Sequence, residues 1–240
     1  MTDSTQPRER NGSAWLRSLG KAPGSHASSP PPLHLPAVLR SAETPRDDLE
    51  DDAIIKGVGY DGTPFVGLYC EAFEVEGCSF EGSRFTGSRL ARSQFSDSRF
   101  TTCDFAEVSA QDVSLIRCTV TGSRFTGSSW KSGTFRDVKI ENCAIAPAMF
   151  RHMKLYAATF VDCKMIGADF QSTDMHNVCF QGCDLTGAQF ANAKMGTVRF
   201  ENCTLFYGGG AASLKGTTVQ GPGAMELALS LAREAGILFE

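Results

Sequence analysis

The sequence has no apolar run long enough to cross a bilayer and no strong excess of charge, with 23 Lys and Arg against 27 Asp and Glu and a net charge of −4. The first absence excludes a membrane-spanning helix. With Asp3, Arg8, Glu9 and Arg10 crowding the N-terminus it also argues against a secretory leader, so the expected location is the cytoplasm. The second absence removes any global attraction to nucleic acid or to an anionic membrane, and neither is an expected partner. Histidine is scarce. Of the four, His26 and His34 precede the patterned region, while His152 and His176 fall at outward positions on different faces, so no nucleophile, base and orienter can be assembled. No enzyme activity and no cofactor are expected. Nine cysteines, an odd number beside no export signal, read as buried reduced thiols rather than a disulfide framework.

Phenylalanine, by contrast, is abundant and strictly placed. Of 17 Phe, 14 lie at multiples of five, where indifferent placement would put about a fifth. From Phe80 the series runs through Phe85, Leu90, Phe95, Phe100, Phe105, Ala110, Leu115, Val120, Phe125, Trp130 and Phe135. It continues without a slip through Phe160, Phe170, Phe180, Phe190 and Phe200 to Leu205, and Ala110 is its one small member. Two residues before each large one stands a small residue, Cys78, Ser83, Ser88 and onwards to Cys203, with Met153 the bulky exception.

A five-residue step suits neither regular element. An α-helix turns about 100° per residue, so successive Phe would spiral around it and form no stripe. A flat strand would send them alternately to opposite faces. The chain must therefore turn once per repeat, with the large residue and the small one two before it both pointing inward. A unit so short cannot bury its own Phe. Stacked coils about 4.8 Å apart can, and they supply backbone hydrogen bonds to one another.

The units Ala168-Asp169-Phe170-Gln171-Ser172 and Cys183-Asp184-Leu185-Thr186-Gly187 resemble the A-(D/N)-L-x-x repeat of pentapeptide-repeat proteins. The resemblance implies an all-β fold, a right-handed quadrilateral parallel β-helix with four units, or twenty residues, per coil. On that basis the 26 units from Phe80 to Leu205 make about six and a half coils and a rod of roughly 30 Å. It also implies a core of Phe80, Phe85, Phe100, Phe105, Phe125, Phe160, Phe170, Phe180, Phe190 and Phe200, and one ladder formed by Cys143, Cys163, Cys183 and Cys203. A collinear ladder cannot converge four thiolates on one tetrahedral zinc ion, and parallel Cβ vectors suit a disulfide poorly, so these cysteines read as core filler and no metal is expected. Many units carry Arg or Lys where the consensus has Asp or Asn, as at Arg84, Arg124 and Lys164, which changes the surface and not the core.

Four segments follow. Residues 1–46, with Ser-Ser-Pro-Pro-Pro at 28–32, read as a disordered tail in which Trp15, Leu16 and Leu19 could form one amphipathic turn. Residues 47–77, with 1 basic and 9 acidic side chains, read as an acidic leader and N-terminal cap, where Tyr60, Phe65 and Val75 continue the register while Asp61-Gly62-Thr63-Pro64 breaks it and makes the first coil irregular. Residues 78–207 are the solenoid. In 208–240, Gly208-Gly209-Gly210 breaks the repeat, Leu214 and Val219 resume it in a shifted frame as a partial last coil, and a helix follows over 224–235. That helix is expected to close the open end, with Ile237, Leu238 and Phe239 packed beneath it; Met225, Leu229 and Leu231 are the candidate contacts should it instead pair two chains.

The functional expectation is a non-enzymatic scaffold that binds another, unidentified protein. Some pentapeptide-repeat proteins imitate duplex DNA and bind DNA gyrase, inhibiting it or protecting it from quinolones, and modulation of a type II topoisomerase is the alternative. Such mimicry needs negative charge along the length. Residues 78–205 hold 14 basic and 12 acidic side chains, so that excess is missing.

Overall fold

The computed structural model describes residues 32–238. Each circuit of the chain is twenty residues long and passes through four short sides. Phe80 pairs with Phe100, Leu115 with Phe135 and Ala110 with Trp130, all parallel and in unbroken register. Three sides form parallel sheets of ten, eight and five strands, and the remaining side is a ladder of single-residue bridges running from Pro64 through Arg84, Asp104 and Arg124 to Thr204. The fold is a right-handed, four-sided parallel β-solenoid of about nine turns. Nine rises of about 4.8 Å make a rod of about 43 Å.

The rod is longer than the expected six and a half coils because the register extends beyond both counted ends. Upstream, Ile55, Tyr60, Phe65, Cys70 and Val75 are all buried at the five-residue interval, with Ile54–Lys56, Val58–Asp61 and Tyr69–Glu71 as regular strands. Asp61 to Pro64 is therefore no interruption. Gly62 takes the ordinary corner conformation at φ +60, and Pro64 sits on the first coil, where its position has no earlier rung to receive an N–H; one coil later Arg84 makes that donation, to Thr63 O. Downstream, Phe200 pairs with Val219 across a frame shortened by one residue, so the partial last coil forms.

The expected disordered tail also needs correction over its described part. Arg40–Ser41 is the outermost rung of the ten-stranded sheet, with Arg40 N donating to Gly57 O at 3.1 Å and Ala42 N to Gly59 O at 3.0 Å. Asp47 fixes this segment through an ion pair with Arg40, and its carbonyl accepts the Tyr60 hydroxyl at 2.7 Å. Composition hid the rung because backbone hydrogen bonds and the Arg40–Asp47 ion pair, more than apolar side chains, hold it. Residues 1–31, including Trp15, Leu16 and Leu19, lie outside the described residues.

The core is a set of vertical stacks. Phe80 lies over Phe100 with centroids 4.9 Å apart and planes 7° from parallel; Phe160, Phe180 and Phe200 repeat this at 4.9 and 5.1 Å. Around each coil neighbouring rings meet edge to face, as Phe95 and Phe100 do at 5.3 Å and 78°. Full burial of each such ring contributes roughly 1.5–3 kcal/mol. The one small member of the large series is matched by its neighbour above, since Ala110 sits under Trp130, whose indole N–H reaches Ser128 Oγ at 3.2 Å. Met153, the bulky exception in the small series, lies above Gly133.

Corners explain the polar half of the repeat. Two residues after nearly every large one the backbone enters the left-handed region, at Gly82, Gly87, Asp97, Asn142 and Asn177 among others, Pro147 and Thr197 being exceptions. This is why Gly, Asn and Asp recur there. Gly87, at φ +69 with no atom within 4 Å of an added Cβ, isolates the backbone cost. Gly87→Ala is expected to destabilise by about 1 kcal/mol. At the β-branched Thr102, φ 51, Thr102→Gly is expected to stabilise by a similar amount, about 1 kcal/mol. Urea melts of the two variants should shift in opposite directions.

Candidate functional site

Chemistry is sparse on this scaffold. His34 lies 4.0 Å from Asp97, His152 occupies a corner at φ 56, and His176 stacks on Tyr156 at 5.4 Å with Asp174 2.9 Å away. The structure brings none of them together, and His26 lies outside the described residues. Among the described residues no group of three or more His, Cys, Asp or Glu could hold a metal ion, and no helix is long and apolar enough to cross a membrane.

The expected core residues Phe80, Phe85, Phe100, Phe105, Phe125, Phe160, Phe170, Phe180, Phe190 and Phe200 are all buried. All nine cysteines are buried and unbridged. Burial pushes Cys70 and Cys118 up to about 12 and Cys103 and Cys179 up to about 11. In the ladder Cys143, Cys163, Cys183, Cys203 the thiols stand on successive rungs, and a neighbouring thiol together with burial pushes Cys143 and Cys183 up.

Charge is interleaved along the sides. Ion pairs close between coils from Arg117 to Asp97 at 2.5 Å, Arg124 to Asp104 at 2.6 Å, Arg151 to Asp169 at 2.5 Å and Arg92 to Glu71 at 2.5 Å. The Arg124 guanidinium holds the Asp104 carboxyl below the usual carboxylate range, mainly through its hydrogen bonds. Along that column, Arg84, Asp104, Arg124, Ala144, Lys164 and Asp184, the alternation in the sequence becomes a real contact at Arg124 and Asp104.

One corner departs from this pattern. Its two outward rows, from Val66 to Phe206 and from Gly67 to Tyr207 in steps of twenty, carry a single charge, Glu107. Of the exposed large apolar side chains before the C-terminal helix, Val66, Tyr69, Met149, Ile166, Phe206 and Tyr207 lie on or beside it, Val38 and Ile54 at the N-terminal end being the exceptions. Scattered single apolar residues need no explanation, whereas alignment along one edge does. The five-residue pattern did not expose this line. A twenty-residue period read at positions 66, 166 and 206 would have.

The corner ends at the C-terminal helix, Gly223–Glu234. Its carboxylates close the last coil, Glu226 accepting from Leu205 N at 2.6 Å and Glu234 from Ala211 N at 3.1 Å, while Leu227 packs against the core and Ser230 is buried. The outer face is apolar. Met225 is 69% exposed and Leu231 42%, with Leu229 half-buried. Arg233 lies over the Tyr207 ring at 5.2 Å, joining helix to corner. Ile237 and Leu238 are exposed at 53% and 91%, so they do not pack beneath the helix as expected. Glu226 and Glu234 reach the orphaned N–H groups of the last coil and Leu227 fills the space over it, which leaves no inward place for them; Phe239 lies outside the described residues.

Comparison with known proteins agrees with this architecture. A family model described as pentapeptide repeat region matches residues 73–142 and 133–207, together more than half of the chain. A search of curated proteins finds no match. Among solved structures, a trypsin-treated form of QnrB1, a plasmid-mediated fluoroquinolone resistance protein, aligns with a TM-score of 0.52 at 14% identity, covering 83% of this chain and 96% of that one. HetL, a pentapeptide repeat protein involved in heterocyst differentiation regulation from the cyanobacterium Nostoc sp. strain PCC 7120, aligns at 0.32 and 13%, covering 70% and 89%. At 14% identity the likeness to QnrB1 shows shared fold alone. The repeat in the sequence, the four-sided coil it builds and the family match over 73–207 make this chain a member of the pentapeptide-repeat family.

Proposed function

We propose that the protein is a non-enzymatic scaffold of the cytoplasm that binds another protein along its charge-poor corner and C-terminal end. The observation that carries this reading is the collection of exposed apolar side chains on one edge and one end of a rod whose other surfaces are densely charged. Interfaces are depleted of charge at their centre and rich in Tyr, Phe and Met, the residue types that gather at Tyr69, Met149, Phe206, Tyr207 and Met225. The interleaved ion pairs on the remaining sides keep the rod soluble and offer no continuous acidic band of the kind a DNA mimic would present.

The test is a tagged full-length chain recovered from its native host beside an Ile166→Lys/Met225→Lys/Leu231→Lys variant. Proteins held by the first and lost by the second support the reading, provided the variant keeps its β-sheet circular dichroism. Identical captured sets, or none, would sink it. Altered gyrase supercoiling by the pure protein would transfer the role to a topoisomerase, and sedimentation as a dimer that the same substitutions dissolve would make the partner a second copy joined through the helix.

A further inference from the structure

Four successive rungs of one inward column are Cys143, Cys163, Cys183 and Cys203, and they repeat the same local geometry. Each sulfur touches the carbonyl oxygen two residues earlier in its own coil: Cys143 reaches Glu141 O at 3.3 Å, Cys163 Val161 O at 3.3 Å, Cys183 Gln181 O at 3.4 Å and Cys203 Glu201 O at 3.5 Å. Each also touches a carbonyl of the coil below, as Cys163 does Ile140 O at 3.5 Å and Cys183 does Phe160 O at 3.5 Å. Sulfurs with matching surroundings on successive rungs are separated by the rung spacing, about 4.8 Å. A point midway between two of them is therefore about 2.4 Å from each, close to the length of a metal–thiolate bond, about 2.3 Å.

We propose that this column binds soft d10 metal ions of linear, two-coordinate preference, the mercuric ion foremost, with one ion bridging Cys143 and Cys163 and another bridging Cys183 and Cys203. Four collinear thiolates cannot build a tetrahedron, but two suffice for a linear site. Each of these side chains is buried within its own coil, and a metal–sulfur bond running along the stack suits the near-right angle that divalent sulfur prefers. A disulfide would require the same sulfurs to close to about 2.05 Å, which the parallel Cβ vectors of stacked rungs oppose although the rung spacing itself lies within the usual Cα range.

The reaction is an exchange of protons for metal with no redox change. Two S–H bonds break, two S–Hg bonds form, and two protons leave to solvent for each ion taken up. The bis-thiolate of a divalent ion is neutral, which suits a core where an unpaired charge would be costly; a cuprous or silver ion would leave one negative charge uncompensated. Losing the thiol protons orphans no acceptor. The carbonyls they face already accept backbone N–H groups, Glu141 O from Gly122, Val161 O from Asn142, Gln181 O from Asp162 and Glu201 O from Gly182, at 2.8 to 3.0 Å. Ser123 N–H points at Cys143 Sγ at 3.4 Å, a donor suited to a thiolate.

The other cysteines lack this adjacency. Ser123 separates Cys103 from Cys143, and Ser98 separates Cys78 from Cys118, doubling the spacing to about 9.6 Å. Serine in the inward slot, as at Ser123 with its Oγ donating to Thr121 O at 3.1 Å, also shows that Cys→Ser variants fit.

The experiment is equilibrium loading of the folded full chain with mercuric chloride, followed by removal of free metal and measurement of bound mercury and its X-ray absorption. The expected uptake into two-sulfur sites is two ions for the wild type, one for Cys163→Ser, one for Cys183→Ser and none for the double variant. The first shell should hold two sulfurs at about 2.3 Å and nothing else. Failure of the folded wild type to load, equal uptake by the double variant, or a shell of one sulfur or of three and more would each overturn the proposal.

Discussion

Gly133→Ala is expected to destabilise the protein by about 3–5 kcal/mol, several times the cost of Gly87→Ala, although both replace a hydrogen by a methyl. The added Cβ at residue 133 would stand 1.9 Å from Val113 O, 2.9 Å from Val113 C and 3.1 Å from Val113 N. All three atoms belong to the backbone of the coil below, so no rotamer change relieves them and the two coils must separate locally. Trimming the large neighbour above does not help. In the double variant Gly133→Ala/Met153→Ala, the side chain whose sulfur accepts from Gly133 N at 3.2 Å is gone, yet the clash with Val113 remains. Chemical denaturation of the single and double variants decides the matter: a loss no larger than that of Gly87→Ala would mean that the rungs slide apart freely and that the register is softer than argued.

Gly133 also marks the limit of what the pattern of large and small residues conveys. The interval of five dictates the coil, and the alternation of Gly, Asn and Asp with larger residues at the corners follows from the left-handed backbone there. Those features depend on one unit at a time and are legible in the chain. Ala110 under Trp130 and Gly133 under Met153 are different, because each exception makes sense only beside a residue twenty positions later. The line of Val66, Ile166 and Phe206 was missed for the same reason: it exists only once the coil length is known. The rung at Arg40–Ser41 escaped on other grounds, since the backbone N–H and C=O groups that every residue possesses and the Arg40–Asp47 ion pair hold it, and neither belongs to the five-residue pattern. Of the candidate binding surface, the helix and its exposed Met225 and Leu231 were foreseeable from helical spacing, whereas the inability of Ile237 and Leu238 to tuck beneath it depended on Glu226 and Glu234 being used as caps.

Phe180→Ala is expected to cost about 3–5 kcal/mol and, more tellingly, to divide the rod. The Phe180 ring is fully buried between Phe160 at 4.9 Å and Phe200 at 5.1 Å, with Phe170 edge-on at 5.8 Å. Its removal empties one layer of a stack in which each coil contacts only its neighbours, so the energetic damage passes to the adjacent rungs and not to the distant end. Phe80 and Phe100, several coils away, share no contact with the vacated site and keep their own parallel stack. Amide hydrogen exchange should then show protection falling from about residue 155 to the C-terminal helix while coils 75–125 keep theirs, and thermal melting should separate into two steps. Phe180→Leu, which retains most of the volume, should restore a single transition. Uniform loss of protection along the whole chain would show instead that the nine turns melt as one cooperative unit, and the interface energy between coils would then have to exceed the cost of the cavity.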